Sequence, residues 1–191
     1  IRRGRIDAAV VGGAESLAQF TIAGFGSLRS LDPLGCSPYG RSGGLSVGEG
    51  AAMFVLEDFD AAVARQAPIL AELAGAAMSA DAYHPTAPDP TGRGAMLAMN
   101  RALRSAGLGT DDVGYVNGHG TGTQANDEME RVAFRKLFGD RSGDVPISST
   151  KSQIGHLLGA AGALEAAACV AAIANDVLPP TIRQPELTRE D

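Results

Sequence analysis

The chain has 191 residues, 45% hydrophobic and 20% charged, and its 16 Lys and Arg are outnumbered by 22 Asp and Glu, for a net charge of −6. That apolar fraction excludes wholesale disorder, and the acidic balance argues against nucleic-acid binding, which needs surplus cations to neutralise phosphates. Two cysteines, Cys36 and Cys169, cannot build a disulfide framework and fit a reduced, cytoplasmic setting.

Residues 1–5 are basic and read as the end of a helix. Residues 7–11 form an apolar run stopped by Gly12-Gly13, as a buried strand would be. A loop-rich stretch follows, punctuated by Gly24, Gly26, Pro33, Gly35, Pro38, Gly40, Gly43 and Gly44. Residues 51–56 predict a strand, 59–66 a short helix and 69–77 a third strand. Residues 94–106 have helical spacing, with Met96, Leu97, Met99 and Leu103 on one side and Gly107 as the stop. Next come a strand at 113–116, an amphipathic helix at 126–138, a strand at 145–149 and a long helix at 157–175, closed off by Pro179-Pro180. Strands alternating with helices imply an α/β architecture around a buried sheet.

No leader-like segment opens the chain. The longest apolar stretch, residues 157–174, is rich in Ala and Gly and carries Glu165 at its middle, so a buried helix is a better reading than a membrane span. No linker divides the chain, and both ends read as cut, which suggests a piece of a larger protein.

Three short patterns fail on context. Gly44-Leu45-Ser46-Val47-Gly48 matches the serine-hydrolase elbow, but a Gly-rich loop precedes Ser46 where a strand is required. Ser148-Ser149-Thr150-Lys151 lacks its companion elements, and Gly118, Gly120 and Gly122 do not fit a dinucleotide loop. None of His84, His119 and His156 has a partner at metal-ligand spacing, so no metal site is expected. Cys36 reads as a small loop residue and Cys169 as inert core.

The informative segment is Asn117-Gly118-His119-Gly120-Thr121-Gly122-Thr123, placed between a strand and a helix. Its small neighbours leave His119 unshielded and let a ligand approach the backbone. A second segment, Ser149-Thr150-Lys151-Ser152-Gln153-Ile154-Gly155-His156, occupies the equivalent place after the next strand. The two histidines thus sit at the carboxyl ends of neighbouring strands, where open α/β sheets place their sites. Gly155, Gly159 and Gly162 would allow tight helix packing, and Glu165 requires a partner if buried, with Lys151 the natural candidate.

At these residues the sequence resembles the 3-oxoacyl-(acyl-carrier-protein) synthases, the condensing enzymes of fatty-acid and polyketide synthesis. The matching motifs are Val11-Gly12-Gly13-Ala14-Glu15, Val47-Gly48-Glu49-Gly50-Ala51, Asp81-Ala82-Tyr83-His84, residues 117–123, residues 149–162 and Leu178-Pro179-Pro180-Thr181, in family order across nearly the whole chain. The resemblance implies a layered, thiolase-like α/β/α/β/α fold, incomplete here, with residues 1–191 forming one partial ketosynthase domain. It implies that His119 and His156 are the catalytic histidines of malonyl decarboxylation, with Lys151 beside them and Glu165 as its carboxylate partner. It also implies that Thr121 and Thr123 bind the pantetheine arm, that His84 and Thr86 border the substrate entrance, and that Asn117 and Asp127 support the site.

The family's nucleophilic cysteine falls upstream of Ile1, and neither Cys36 nor Cys169 stands at its position. Where the family usually has Arg-Asp-Gly-Phe, this chain reads Arg41-Ser42-Gly43-Gly44-Leu45. The implied activity is decarboxylative Claisen condensation of carrier-bound thioesters by the complete enzyme, with no cofactor beyond the carrier's phosphopantetheine arm. The alternative is a non-catalytic, chain-length-factor-like partner subunit. Acyl carrier protein is the implied partner, in a homodimer or a heterodimer with a ketosynthase-fold subunit.

Overall fold

A computed structural model describes residues 1–184. Strand β1 (Ala8–Glu15) pairs antiparallel with β2 (Gly50–Glu57), from Ala8 opposite Glu57 to Glu15 opposite Gly50. The Gly12-Gly13 pair lies inside β1 instead of ending it. A Cβ on Gly12 would sit 2.1 Å from the Ala52 carbonyl oxygen, so the absent side chain permits the strand to continue. Between the strands lies α1 (Gln19–Ser27), and after β2 comes α2 (Phe59–Ala64), whose N-cap Asp58 accepts from the Asp60 and Ala61 amides.

The strand expected at 69–77 does not form: the segment has no regular secondary structure and pairs with no strand among the described residues, and Leu70 and Leu73 are exposed. Residues 1–5 form turns instead of a helix end. Helix α3 (Arg93–Ala106) ends where expected, at Gly107 in the left-handed region (φ 72°). Strand β3 (Val116–Asn117) is shorter than the run at 113–116 suggested. It lies parallel to β4 (Ile147–Ser148), with Val116 opposite Ile147 and Asn117 opposite Ser148. Helix α4 (Gln124–Phe138) connects them and packs on α3. Phe134, Phe138 and Val145 make a buried cluster, joined by Tyr39, Met99, Val113, Val116 and Ile147. This core fixes the base of both β3 and β4, and therefore the loops that leave their carboxyl ends.

A single turn, α5 (Lys151–Ile154), follows β4, and a 3-10 turn at Leu158–Ala160 leads into α6 (Ala161–Asn175). Helix α6 packs on β1 and β2, yet only Ala161 and Ala172 are buried. The expectation of a buried helix is corrected to a half-covered one, because its outer faces meet nothing among the described residues. The stretch Leu158–Asn175 is long and apolar enough to cross a membrane by length and composition, with Glu165 within it.

Candidate active site

The parallel pairing of β3 and β4 sets two loops side by side. From the end of β3, His119 projects with its ring exposed; after α5, His156 projects half-buried. The two ring centroids are 5.3 Å apart and the planes are nearly perpendicular, at 88°. Beside His119 stands Lys151, the largest fully buried side chain of the described residues. Its Nζ donates to the His119 carbonyl oxygen (2.6 Å), lies 3.4 Å from His119 Nδ1, and makes an ion pair with Glu165 Oε1. The pairing of Glu165 with Lys151 read from the sequence is thus present. A buried ammonium without such a carboxylate would be costly.

Hydrogen bonding fixes the tautomers. His156 Nδ1 accepts from the Leu158 amide (3.1 Å), which leaves Nε2 as its N–H. In His119, the ammonium beside Nδ1 assigns the proton to Nε2 as well. Crowding by surrounding atoms, followed by the nearby Lys151 charge, lowers both imidazole pKa values, even though His119 keeps an open face. For His156 the value falls to about 4. At neutral pH that ring is therefore uncharged.

The loop carrying His119 is held from below by α4. Glu130 Oε1 accepts from the His119 amide (2.8 Å), and Oε2 accepts from the Gly120 amide (2.7 Å), Asn126 Nδ2 (2.9 Å) and the Tyr39 hydroxyl (2.9 Å). One turn earlier, the fully buried Asp127 accepts from the Tyr39 amide (2.9 Å), the Ser42 hydroxyl (2.6 Å) and the Gly122 amide (3.3 Å). Burial next to Glu130 pushes the Tyr39 phenol pKa up. Gly120, at φ +37°, leaves no room for a side chain: a Cβ would lie 2.4 Å from that of Ser149, whose hydroxyl donates to the Gly120 carbonyl (2.7 Å).

His156 is anchored from elsewhere. Its amide donates to the Ser46 carbonyl (2.6 Å) and its carbonyl accepts from the Gly48 amide (3.0 Å), a parallel bridge between Val47 and His156. Gly155 and Gly48 meet back to back there, while Gly162 faces open space and Gly159 meets only the Glu15 carboxylate, so the tight helix packing expected of all three glycines holds only for Gly155. Ser46 Oγ accepts from the Cys36 amide (2.9 Å), a structural duty.

Thr121 and Thr123 share a hydrogen bond of 2.8 Å at the start of α4. His84 and Thr86 stand apart on an exposed loop, bonded to each other through the Thr86 amide and His84 Nδ1 (3.2 Å). A cleft of about 350 Å³ separates that loop from α4, lined by Tyr83, Ala87, Pro88, Ala125, Met129 and Val132. Both carboxamide atoms of Asn117 and the Thr150 hydroxyl are buried with no hydrogen-bond partner among the described residues. Cys36 is 1% exposed, donates its Sγ proton to the Lys151 carbonyl (3.1 Å), and has a pKa raised by burial. Cys169 is half-buried, and burial likewise raises its pKa. No three His, Cys, Asp or Glu side chains converge as metal ligands among the described residues.

Two family descriptions match this chain: "Beta-ketoacyl synthase, N-terminal domain" over residues 1–62 and "Beta-ketoacyl synthase, C-terminal domain" over residues 70–184. The chain belongs to the beta-ketoacyl synthase family. It is 47% identical to nodulation protein E of Rhizobium meliloti, over 97% of this chain and 47% of that protein. With 3-oxoacyl-[acyl-carrier-protein] synthase 2 of Synechocystis sp. the identity is 44%, over 95% of this chain and 46% of that one. The solved structure of the ishigamide ketosynthase/chain length factor superposes with a TM-score of 0.87 at 38% identity, covering 99% of this chain and 46% of that one. The chain spans about half the length of the relatives it matches, and its fold is the ketosynthase, thiolase-like α/β fold.

The sequence reading missed Glu130 and Tyr39, and it placed Ser149 in the second segment without its bond to the Gly120 carbonyl. A signal for Glu130 was present: Asp127 and Glu130 are carboxylates three apart on one helix, directly after a Gly-rich loop full of unpaired amides.

Proposed function

We propose that the complete protein containing this beta-ketoacyl synthase segment condenses carrier-bound acyl and malonyl thioesters, releasing CO₂. The observation that carries this reading is the pair of imidazoles, 5.3 Å apart, each left with Nε2 as its N–H by the hydrogen bonds at Nδ1. Loss of CO₂ from a malonyl thioester leaves an enolate, whose carbon attacks the carbonyl of the acyl thioester; the new C–C bond forms as the C–S bond breaks and the thiolate leaves. Neutral N–H donors fixed in place stabilise the enolate oxygen without reorganising, the principle of an oxyanion hole. Lys151 holds His119 through its carbonyl and Nδ1, and Glu165 neutralises the ammonium.

Thr121 and Thr123 would hold the phosphopantetheine arm, with His84 and Thr86 at its entrance and Asn117 and Asp127 in support. The partner on this reading is acyl carrier protein, the carrier in the name of the Synechocystis relative. No cofactor besides that arm is required. Residues 1–191 then form one partial ketosynthase domain of a cytoplasmic dimer. The test is CO₂ release from malonyl-carrier by the complete protein. His119→Ala and His156→Ala should each reduce it by about a hundredfold or more; undiminished release in both refutes the assignment.

A second reading, a partner subunit without a nucleophile, is favoured by the likeness to the ishigamide ketosynthase/chain length factor structure. Treating the complete protein with a thiol-directed inhibitor separates the two. One rapidly modified cysteine supports the enzyme, and none supports the partner.

A further inference from the structure

Beyond α6 the chain turns back across the site. Residues 179–184 lie over α5 and over the loop around Cys36, bonded at every step. The Ser148 hydroxyl donates to the Pro179 carbonyl (2.5 Å), Gln153 Nε2 to the Pro180 carbonyl (2.6 Å), and the Ser149 amide to the Thr181 hydroxyl (3.0 Å). The Ile182 amide donates to the Ser152 hydroxyl (3.0 Å), and Arg183 Nη1 donates to the Ser152 carbonyl. The Arg183 carbonyl accepts from the Ser37 hydroxyl (2.7 Å), and Gln184 Nε2 donates to the Pro38 carbonyl (2.8 Å).

These bonds converge on one short stretch. Lys151 is flanked by Ser149, gripped by Thr181, and by Ser152, gripped at its hydroxyl and carbonyl by Ile182 and Arg183. The Lys151 carbonyl is itself tied to Cys36 Sγ (3.1 Å). Arg183 packs its guanidinium over Gly35, where a Cβ would come within 3.0 Å of Nε. Residue 35 is at φ +84°, so glycine serves both the turn and the stacking. Arg183 takes up a left-handed backbone (φ +59°), which costs free energy for any residue with a Cβ unless its surroundings repay it. Here its carbonyl is bonded to Ser37 and its guanidinium to Ser152, so both ends of the residue are used.

We propose that Arg183 is a positioning residue: by clamping Ser152 against the Gly35–Ser37 turn, it sets the Lys151 ammonium between Glu165 and His119. The proposal rests on the functional reading above only for its kinetic test, since the geometry it concerns is that of Lys151 itself. Arg183 hydrogen-bonds neither imidazole and acts on His119 through Ser152 and the adjoining Lys151. The groups facing His119 are Lys151, Glu130, Glu165, Asp127 and His156. Of these, Lys151 lies next to Ser152, which the strap bonds at its hydroxyl and carbonyl. Withdrawal of its charge lets the His119 pKa rise toward the ordinary histidine value.

The experiment uses the complete protein with Arg183→Ala, Arg183→Lys and Arg183→Gln, and reads two quantities. One is the NMR titration midpoint of His119; the other is kcat and KM for malonyl-carrier decarboxylation. Arg183→Ala should raise the His119 midpoint and lower kcat about tenfold with KM changed less than twofold, while Arg183→Lys, which keeps a donor to Ser152, recovers part of both. If the wild type releases no CO₂, the functional reading fails and the His119 midpoint alone decides the positioning role. An unmoved midpoint in a folded Arg183→Ala or Arg183→Gln protein overturns the proposal. So does an equal loss in all three variants, with no rescue by Lys.

Discussion

Lys151 and Glu130 hold His119 through opposite ends of its backbone. The ammonium takes the His119 carbonyl at 2.6 Å, while the carboxylate takes the amides of His119 and Gly120 at 2.8 and 2.7 Å. Both polar backbone groups of His119 are committed to buried, charged side chains, and the Gly120 carbonyl goes to the Ser149 hydroxyl. Charge-assisted hydrogen bonds of this kind are about twice as strong as neutral ones.

Removal of Lys151 should therefore be expensive. Its side chain is 2% exposed and the Glu165 side chain 19%, so Lys151→Ala leaves a mostly buried carboxylate without its counter-charge. We expect a loss of about 3 kcal/mol in unfolding free energy. Adding Glu165→Gln should recover part of that loss in urea denaturation, because the stranded charge is then gone. If the double variant is less stable than Lys151→Ala, the pair does not act as a unit.

Glu130→Gln replaces four accepted hydrogen bonds with at most two, since an amide offers one acceptor oxygen. The expected cost is about 2 kcal/mol, with broadening of the His119 backbone resonance. A double-mutant cycle with Tyr39→Phe should give a coupling of about 1 kcal/mol between the two side chains. Strict additivity would separate Tyr39 from the network.

The His156 pKa near 4 has a consequence for stability, with a definite sign. The folded protein holds this ring neutral down to about pH 4, whereas the unfolded chain takes up its proton at about 6.5. Between those values the unfolded state binds more protons, so stability must fall as the pH drops from about 6.5 toward 4. His156→Asn should flatten the urea midpoint across that window. A slope unchanged by the substitution would show that other groups set it.

Antiparallel β1 and β2 present the cross-strand pair Val10 and Val55, which are 74% and 66% exposed, with Met53 and Phe20 also uncovered. The 191-residue chain by itself should associate through these side chains, as exposed apolar strand surface does. Sedimentation should find oligomers, and Val55→Lys with Met53→Glu should shift the population to monomer. Monomers in the unsubstituted chain would contradict this.

Much of this was legible from residue types alone. His119 and His156 could be placed at neighbouring strand ends because glycines flank them and each follows a β-run, and Lys151 could be matched to Glu165 because a carboxylate in an alanine-rich helix needs a partner. Residues 69–77 misled because apolar content marks a strand only where a partner strand exists, and here none of the described residues supplies one. The helix at 157–175 was taken as buried on composition, but burial depends on what lies opposite. The hydrogen bonds of Tyr39 and Ser149 were invisible for a related reason: they reach 91 and 29 residues along the chain, and no local spacing encodes such distances.

The bridge from Ser46, Val47 and Gly48 to His156 joins residues more than a hundred positions apart, and Cys36 meets the Lys151 carbonyl across 115. A site whose ties are this distant has no local nucleus. Closing such large loops delays the gain from each contact until most of the chain has condensed. The tie that fixes His156 should therefore form late in folding. Transient opening of the short bridge at Val47 would release His156 while β3, β4 and their aromatic core stayed intact. Hydrogen exchange at the His156 amide would then run faster than at Val116, and competence at the site would decay before the fold does.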